Sequence, residues 1–540
     1  MSESSKPSRS LAGIAGIVAI ATLISKVFGL VRQVAIAAAF GTKAAYGAYQ
    51  YSSIIPGFFL ILLGGINGPF HSAMVSALAK RDKAESAPLV ETVSTLVGGV
   101  LLVVTLVLMA LAPQCIDAIA PGLHQTAHGM EVRDIAIQQL RIMAPIVWFA
   151  GMIGIGFGTL NAADLYWLPS VSPLLSSVTI VVGIGALALT LGDKIGQSEY
   201  AALGGIVLAW AALIGTILQW LVQVWAQHKA GLSRLRLGFD FKHSGVKDVM
   251  KVMAPALFAS GMLQINVYTD MFFTSFLPNP GAAVSALDYA NLLVQTPLGI
   301  LSNMILVPFL PVFSRLSDPS DWAELKTRIR QGLLLTAIAM LPISALIIAL
   351  ATPIVRVVYE RGEFKLGDSN LVAVVLMAYA IGMFVYLGRD VLVRVFYALG
   401  DGETPFRISI VNIFLNALFD FILIKPLGLP GLVLATVSVN VISMIALLWF
   451  LDRKLNGLPL KEWAFPLAGL AIGSGFAGLA SWGTLLASQR FLGTNGLLIL
   501  IGQLSLSGLV GLGVFALVAS RLKLPEVDIF VGRIRQRFVK

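Results

Sequence analysis

The sequence predicts an all-α polytopic membrane protein with about fourteen transmembrane helices, arranged as two parallel six-helix lobes followed by two C-terminal helices. Three observations support this fold class. The 540 residues are 57% hydrophobic and only 12% charged, which is about half the charged fraction of a soluble protein. Long apolar runs recur along the whole chain, and its two halves resemble each other. The single cysteine, Cys115, excludes a disulfide-rich secreted scaffold.

Fourteen apolar runs, each of about 20 residues or more, are long enough to span a bilayer as helices. The first run lacks a small-residue cleavage site, so we expect a retained helix rather than a signal peptide. The runs lie near residues 11–40, 48–79, 88–113, 135–161, 169–192, 201–226, 249–277, 283–313, 331–355, 369–399, 405–424, 430–451, 463–488 and 495–520.

A sequence repeat relates helices 1–6 to helices 7–12. Residues 203–209 (LGGIVLA) open helix 6, and residues 429–435 (LPGLVLA) open helix 12. Pro56 and Pro69-Phe70 in helix 2 correspond to Pro297 and Pro308-Phe309 in helix 8. An offset of six helices preserves orientation, as in transporters built from parallel repeats. The predicted divisions are an N-lobe at 1–227, a cytoplasmic basic linker at 228–248, a C-lobe at 249–455, and helices 13–14 with a basic tail at 456–540.

Lysine and arginine are distributed unevenly between the two sides that this helix order defines. With both termini cytoplasmic, the cytoplasmic segments hold 25 of these residues and the opposite segments hold 8. Since cytoplasmic loops are enriched in Lys and Arg, the imbalance predicts cytoplasmic termini in a bacterial inner (plasma) membrane protein. Contact of the basic loops with anionic lipid explains the net charge of +10, so no nucleic-acid partner is expected.

Helix 1 carries two cations inside an apolar run. Lys26 and Arg32 are six residues apart around Gly29, which allows the helix to bend. Each charge costs about 2.5–3.5 kcal/mol at a helix centre, so it needs a partner or a wet cavity. Such a pair would suit an anionic group such as a pyrophosphate. The other ionisable residues predicted within spans are His71, Asp270, Asp288, Arg389, Asp390, Arg394 and Asp420. For Arg389, Asp390 and Arg394, internal pairing and a functional role are both open, and for His71 packing or capping is favoured.

A second group of polar residues is acidic and rich in oxygen. Asn266 and Asp270 share a face of helix 7, and Asn412, Asn416 and Asp420 form a stripe on helix 11 at i, i+4 and i+8. Thr436 and Asn440 repeat the spacing on helix 12. Carboxylate, amide and hydroxyl oxygens favour a hard cation over a transition metal. Sodium and a proton are both open as the ion, and interhelical hydrogen bonding is the structural alternative.

Short motifs spread over almost the whole chain match one known family. Residues 25–33 (SKVFGLVRQ) fit the pattern Ser-Arg/Lys-x-x-Gly-x-x-Arg, and Phe40-Gly41 follows. The further matches are Tyr289-Ala290-Asn291, Gln295-x-Pro297-Leu298-Gly299, Phe396-Tyr397-Ala398-Leu399-x-Asp401-x-x-Thr404-Pro405 and Gly431-Leu432-x-Leu434-Ala435-Thr436. On these motifs the chain resembles the lipid II flippases (MurJ or MviN type) of the MOP superfamily. Fourteen helices is also the count of that family.

The resemblance implies inward- and outward-facing states that exchange by rocking of the lobes, with a lipid-linked disaccharide-peptide carried through a cationic cavity. Lys26 and Arg32 match the two helix 1 cations of the family. A sodium site known in one branch maps onto Asp270, Asn416, Asp420, the carbonyl of Leu432, and Thr436. Helices 13 and 14 would form a groove for the lipid tail.

The chain departs from the family at five positions near the expected cavity. Two family arginines are replaced by Ile61 and Leu292, and three acids by Gln33, Gly47 and Gln295. Three explanations are open: Arg389 or Arg394 substitutes for the missing cations, the head group is bound differently, or the cargo differs. The candidate substrate-binding residues are therefore Lys26, Arg32, Gln33, Arg389 and Arg394.

The leading hypothesis is a lipid II flippase driven by membrane potential or a cation, acting as a monomer among membrane lipids. The alternatives within transporters are a flippase for another polyprenyl-linked saccharide and a cation-coupled drug antiporter. A membrane-embedded glycosyltransferase is the alternative from a different class, and it would need acids or histidines in a sizeable loop near the membrane. The long outer loop at 114–134 holds Asp117, His124, His128 and Glu131 without a metal-like spacing. We therefore expect no catalytic residues, no enzyme activity and no cofactor except a sodium ion.

Overall fold

The structure, a computed structural model, describes residues 11–65, 69–78, 83–232, 236–240, 246–247, 249–251, 253, 265–494 and 496–526. Within these residues all regular structure is helical. They group into two compact units, which we call unit 1 and unit 2. Unit 1 comprises the chain up to Ser285 together with Arg361–Phe364, and unit 2 comprises Ala286–Glu360 and the chain from Lys365 onwards.

Unit 1 contains eleven described helices and the start of a twelfth. They are α1 (Leu11–Phe40), α2 (Ala44–Gly64), α3 (Pro69–Leu78), α4 (Lys83–Ala110), α5 (Ala112–Ile119), α6 (Ala127–Met143), α7 (Ile146–Ala162), α8 (Trp167–Val171), α9 (Leu174–Leu191), α10 (Ala201–Lys229) and α11 (Ile265–Thr274). Short 3-10 turns at Pro121–Gln125, Gly192–Lys194 and Ser198–Tyr200 connect some of them.

Unit 2 is built mainly from long helices. They are α12 (Pro280–Arg315), whose first turns belong to unit 1, α13 (Trp322–Tyr359), α14 (Leu366–Ala398), α15 (Glu403–Leu427), α16 (Leu429–Lys454), α17 (Leu460–Leu492) and α18 (Leu497–Arg521). Several exceed the roughly 20 residues that a span requires. Pro297, Pro308 and Pro311 lie inside α12, and the backbone of α13 is non-helical at Leu350.

The polytopic membrane fold predicted from the apolar runs is confirmed. Among the described residues, 11 helices are long and apolar enough to cross a membrane, or 12 if the bent pair α6 and α7 forms one span. These twelve coincide with twelve of the fourteen predicted runs. The remaining runs, 11–40 and 249–277, fall on α1 and α11 where the chain is described. The count of fourteen stays a prediction.

The predicted span at 135–161 consists of two helices. α6 begins at Ala127, where the hydroxyl of Thr126 accepts a hydrogen bond from the Gly129 backbone N–H at 3.0 Å. This polar first turn lies outside the apolar run, so hydropathy missed it. The chain bends by 42° between α6 and α7. Pro145, which immediately precedes α7, accounts for this break because it has no backbone N–H and its ring disfavours a continuous helix.

Each unit has its own apolar core. In unit 1, side chains of α2, α3, α4 and α7 pack together, including Leu63, Phe70, Met74, Leu89 and Val147. In unit 2, one cluster joins α13 to α17 and α18. Its buried members are Leu334, Ala337, Ile338, Leu470, Ala477, Phe515 and Ala519. Many apolar side chains on the opposite helix faces are exposed, as expected of surfaces that contact lipid.

The repeated sequence motifs occupy equivalent places in their helices. Residues 203–209 lie in the first turns of α10, and residues 429–435 lie in the first turns of α16. Pro56 lies inside α2, and Pro297 lies inside α12. The superposition of two parallel lobes, and the division at residues 227, 249 and 455, stay predictions.

Candidate substrate and cation sites

The two helix 1 cations lie on the second half of α1, in unit 1. Lys26 is exposed and Arg32 is half-buried. Neither side chain has a hydrogen bond or an ion pair with any residue that the structure describes. The adjacent Gln33 is buried, and its amide donates a hydrogen bond to the Tyr46 hydroxyl at 2.5 Å. Lys26 and Arg32 are therefore available to a ligand, whereas Gln33 has a protein contact.

The part of α1 that carries these cations is exposed on much of its circumference. Val27 is 52% exposed and Val31 is 47% exposed. The Gly29 position has open space around it, since a Cβ there would meet no atom within 4 Å. Two positive charges thus share an accessible, otherwise apolar helix segment.

The candidate arginines of α14, in unit 2, are engaged by neighbouring groups. Arg389 Nε donates to Ser443 Oγ at 2.9 Å, and Arg389 Nη1 lies 3.9 Å from Asp390 Oδ1. Arg394 Nη1 donates to the Leu306 carbonyl at 3.3 Å. Both guanidinium groups keep further donors, so these contacts restrain their positions but leave them able to bind an anion.

Four of the five predicted cation ligands come together in unit 2. Asn416 Nδ2 donates to Asp420 Oδ2 at 2.9 Å on α15. The Thr436 hydroxyl on α16 lies 3.3 Å from Asn416 Oδ1 and 3.4 Å from the Leu432 carbonyl. Asp420 and Asn416 are almost completely buried. The i, i+4 spacing therefore does place Asn416 beside Asp420, and Thr436 beside the Leu432 carbonyl, and the contact between Thr436 and Asn416 joins the two helices.

The fifth predicted ligand, Asp270, belongs to unit 1. It is half-buried on α11, one helical turn after Asn266, and its backbone carbonyl accepts a hydrogen bond from the Thr274 hydroxyl at 2.6 Å. The helical spacing of Asn266 and Asp270 is as predicted. The participation of Asp270 in one site with the unit 2 residues stays a prediction.

The structure gives a steric reason for one of the five family departures. Gly47 on α2 packs against Gly281 near the start of α12, and a Cβ on Gly47 would lie 2.4 Å from the Gly281 Cα. Non-bonded carbon atoms are stable at about 3.5–4.0 Å, so no side chain fits at Gly47 without separating the two helices. The acid that the family carries at this position is therefore incompatible with this helix crossing.

Gln33 is buried, whereas the other three departures lie at more accessible positions. Ile61 is 63% exposed on α2, Leu292 is half-buried on α12, and Gln295 is exposed one turn later. No cation replaces the missing arginines at these positions.

The ionisable residues of the predicted outer loop form a structural ion pair that the sequence analysis did not predict. Arg133 on α6 binds Asp117 on α5 through two hydrogen bonds, Nε to Oδ1 at 2.6 Å and Nη2 to Oδ2 at 2.8 Å. His124 Nε2 lies 3.0 Å from Asp117 Oδ1. The hydrogen bonds from Arg133 hold the pKa of Asp117 below its usual range. These groups join α5 to α6, and no cluster of three or more metal-ligating His, Cys, Asp or Glu side chains occurs in the described chain.

The motif Asp401-x-x-Thr404-Pro405 also has a structural role. Asp401 Oδ1 accepts a hydrogen bond from the Thr404 backbone N–H at 3.0 Å, at the start of α15. Lys454, at the end of α16, donates to Asp401 Oδ2 at 2.7 Å. Burial acts to raise the pKa of Asp401, but the hydrogen bonds from Lys454 and Thr404 outweigh it and hold the pKa below its usual range. The motif thus fixes the start of α15 against the end of α16.

A cavity of 670 Å³ lies in unit 1, beside the turn between α1 and α2. Lys43 in its wall forms an ion pair with Glu363 and donates to the Gly196 carbonyl at 2.8 Å. Glu363 is held in place through its backbone N–H, which donates to the Ala38 carbonyl at 2.8 Å. The partner of Lys43 lies 320 residues away in sequence, so sequence spacing does not reveal this contact.

The helix arrangement defines the class of protein, a polytopic helical membrane protein whose fold is shared by solved structures. The solved structure of "Lipid II flippase MurJ, inward closed conformation" matches with a TM-score of 0.74 at 23% identity, over 94% of this chain and 98% of that one. An inward-facing multidrug resistance MATE family transporter of the MOP superfamily matches with a TM-score of 0.61 at 14% identity, over 82% of this chain and 99% of that one.

Sequence comparison then identifies the family. The family described as "Lipid II flippase MurJ" matches residues 36–502. The "Probable lipid II flippase MurJ" of a Synechocystis species is 54% identical over 538 residues, covering 100% of this chain and 99% of that protein. The chain therefore belongs to the MurJ lipid II flippase family, as the motifs predicted.

Proposed function

We propose that this protein is a lipid II flippase, which moves undecaprenyl-pyrophosphate-linked peptidoglycan precursor across the inner membrane by alternating access. The observation that carries the proposal is the pair Lys26 and Arg32. Both cations lie in the apolar helix α1, a predicted membrane span, without an anionic partner in the described chain. A residue of this kind within a membrane helix usually marks a substrate or ion pathway.

The proposed role of the pair is to bind the pyrophosphate. Arginine can form two parallel hydrogen bonds with a phosphate group, and lysine adds a compact charge. Binding the anion would offset the cost of about 2.5–3.5 kcal/mol for each charge at a helix centre. Arg389 and Arg394 would add contacts to the head group from unit 2, in place of the family arginines that Ile61 and Leu292 replace.

Two further cargo assignments are compatible with the same cations: another polyprenyl-linked saccharide, and a drug exchanged for a cation. Membership of the lipid II flippase family favours lipid II as the cargo over both alternatives.

We also propose that the protein has no catalytic residues. In the loop at 114–134, whose acids and histidines a glycosyltransferase would need, Asp117 and His124 belong to the contacts that join α5 to α6. His128 pairs with Glu131 within α6. We further propose a monomer with cytoplasmic termini, embedded in membrane lipids and without a nucleic-acid partner.

We propose a sodium ion as the coupling ion, bound by Asn416, Asp420, Thr436 and the Leu432 carbonyl, with Asp270 as a further ligand. The donor set fits sodium because every ligating atom is an oxygen and Asp420 supplies a negative charge. A charge that moves through the whole membrane field gains about 2.3 kcal/mol per 100 mV, which would bias a two-state equilibrium roughly fiftyfold. A proton on a buried carboxyl is the alternative.

The first prediction tests the cations of α1. We expect Lys26→Gln and Arg32→Gln each to abolish growth of a flippase-depleted strain and to cause lipid-linked precursor to accumulate. The physical reason is that a neutral amide cannot compensate the pyrophosphate charge. The measurements are complementation, precursor content and the amount of protein in the membrane.

Lys425→Gln is the control, since Lys425 is an exposed cation at the end of α15 and its removal should leave growth unchanged. Wild-type growth with both α1 variants, at normal membrane abundance, would refute the proposed role of the pair. If cells depleted of this protein accumulate a different polyprenyl-linked saccharide, lipid II is not the cargo.

A further inference from the structure

A second cavity, of 430 Å³, lies in unit 1 near the C-terminal end of α10. Its walls come from α4, α7 and α10, and residues Arg236 and Leu237 line it at one end. The segment 236–240 is held against α4, because the Gly238 backbone N–H donates to Thr95 Oγ1 at 2.9 Å. We call this cavity the α4/α10 groove. It shares no lining residue with the candidate substrate or cation sites.

One part of the α4/α10 groove is apolar and has a fixed shape. Trp148 on α7 and Trp220 on α10 pack edge to face, with ring centroids 5.5 Å apart. The Trp148 indole N–H donates to the Gly98 carbonyl at 3.0 Å, which fixes the orientation of the ring. Met152 and Val224 extend this surface. Tryptophan is characteristic of protein surfaces at the boundary between hydrocarbon and head groups.

The other part of the groove is polar and basic. Arg236 and His228 line it and are exposed. Gln227 also lines it but is only 7% exposed, and its side-chain amide has no hydrogen-bond partner among the residues that the structure describes. The side-chain amide of Gln227 is therefore available to hydrogen-bond to a ligand or a water molecule in the groove. Glu91 is the one carboxylate in the lining.

The groove is bordered by a helix face that contacts lipid. On α10, Leu218 is 38%, Leu221 is 46% and Trp225 is 60% exposed. An apolar chain can therefore enter the groove laterally from the bilayer, while the exposed Arg236 and His228 lie at its polar end. The basic end lies next to Lys229 at the terminus of α10, where phosphate groups of the adjacent leaflet would be located.

We propose that the α4/α10 groove binds one phospholipid with an anionic head group. Arg236 pairs with the phosphate, the Gln227 amide hydrogen-bonds to a head-group or ester oxygen, and an acyl chain lies along Trp148, Trp220 and Val224. Pairing of arginine with phosphate and contact of tryptophan with the upper acyl chain are both common in membrane proteins. The site is separate from the transported substrate, so the proposal does not depend on the proposed function.

The test is lipid binding by the purified full-length protein, measured by native mass spectrometry after exchange with phosphatidylglycerol or phosphatidylcholine. We expect one retained phosphatidylglycerol and weaker retention of phosphatidylcholine. Arg236→Gln should weaken phosphatidylglycerol binding by about tenfold, because a charge-assisted contact is lost. Val224→Trp should block the groove and remove the bound lipid.

Two matched controls separate the groove from general effects of charge and bulk. Arg521→Gln removes an exposed cation at the end of α18, and Leu221→Trp adds the same bulk to the lipid-facing side of α10. Both should bind as wild type does. Equal retention of the two lipids by wild type, equal binding by Arg236→Gln and Arg521→Gln, or displacement of the lipid by inorganic phosphate alone would each overturn the proposal.

Discussion

Asp420 is a carboxylate completely removed from solvent inside a membrane protein. An ionised carboxylate in such a place needs compensation, and the hydrogen bond from the Asn416 amide at 2.9 Å contributes to it. A bound cation coordinated by Asp420, Asn416 and Thr436 would place a positive charge beside the carboxylate. Protonation of Asp420 would remove the negative charge without a metal ion. The response of the protein to sodium and its response to pH therefore have to be measured separately.

We expect Asp420→Asn to abolish the stabilisation of the purified protein by sodium. In the wild-type protein, sodium at 100 times its dissociation constant would stabilise the folded state by about 2.7 kcal/mol. The variant lacks the negative charge that offsets the free energy of removing water from sodium, so its melting temperature should be the same in sodium as in choline. The measurement is thermal unfolding in the two salts at equal ionic strength.

Asn440→Ala is the matched control for this experiment. Asn440 lies on the same stripe as Thr436, but its amide donates to the Thr436 backbone carbonyl and not to the proposed ion. This variant should keep its response to sodium. A variant Asp420→Asn that sodium stabilises as much as wild type would place the ion elsewhere, and a wild-type response to pH alone would favour the proton.

The polar stripe of α15 was predictable because helical periodicity places i, i+4 and i+8 on one face. The contact between Thr436 and Asn416 required only that α15 and α16 be neighbours, which a short connection implies. The exclusion of a side chain at Gly47 was not predictable. It depends on the close approach of Gly281, which is 234 positions further along the chain.

At the level of elements, hydropathy predicted the membrane helices well and the helices outside the apolar runs poorly. α5, the 3-10 turn after it and the first turns of α6 contain Asp117, His124 and Arg133, so they do not register as apolar runs. Their arrangement depends on a bidentate ion pair between residues 16 positions apart, with a 3-10 turn between them. No helical periodicity encodes a contact of this kind.

We expect this ion pair to make the stability of unit 1 depend on pH. The pKa of Asp117 is lower in the folded protein than its ordinary value of about 3.9, so the pair stabilises the fold above that value. The stabilisation is lost as the pH falls through the folded-state pKa. Arg133→Gln should therefore lower the melting temperature at neutral pH. Between neutral and acidic pH, the melting temperature of this variant should fall less than that of the wild type.

Asp193→Asn is the control, since Asp193 is an exposed acid of another connection and has no ion pair in the described chain. Thermal unfolding of the wild type and the two variants across this pH range provides the measurement. Parallel pH profiles for wild type and Arg133→Gln would contradict the assigned role of the pair.

At the scale of the whole molecule, composition and the apolar runs were sufficient to predict a multi-span helical protein, and the motifs identified the family. The break between α6 and α7 was not predicted, because hydropathy continues across it and only Pro145 indicates a possible interruption. The division into lobes inferred from the repeat stays a prediction. The repeat identifies equivalent helix starts at α10 and α16, but it does not determine how the helices are distributed in space.

The C-terminal helices α17 and α18 pack against α13 within unit 2. Beside this contact lies a cavity of 350 Å³ that is lined by residues of α13, α14, α17 and α18, among them Ala349, Trp482 and Leu486. Trp482 is 52% exposed and Leu486 is 46% exposed, so the cavity borders the lipid-facing surface. This location is consistent with the predicted groove for a polyprenyl tail, which would remain in an apolar environment while the head group crosses.

If the tail occupies this cavity, filling the cavity should impair transport without unfolding the protein. We expect Ala349→Trp to reduce flippase activity by about tenfold or more. The reason is that losing the burial of roughly two methylene groups of the tail already weakens its binding free energy by about 1.6 kcal/mol. Leu509→Trp adds bulk at a position of α18 that is 69% exposed and should be neutral. A photoreactive residue at position 482 should also cross-link to the polyprenyl chain of lipid II. Full activity of Ala349→Trp, or equal cross-linking from position 509, would show that the tail travels elsewhere.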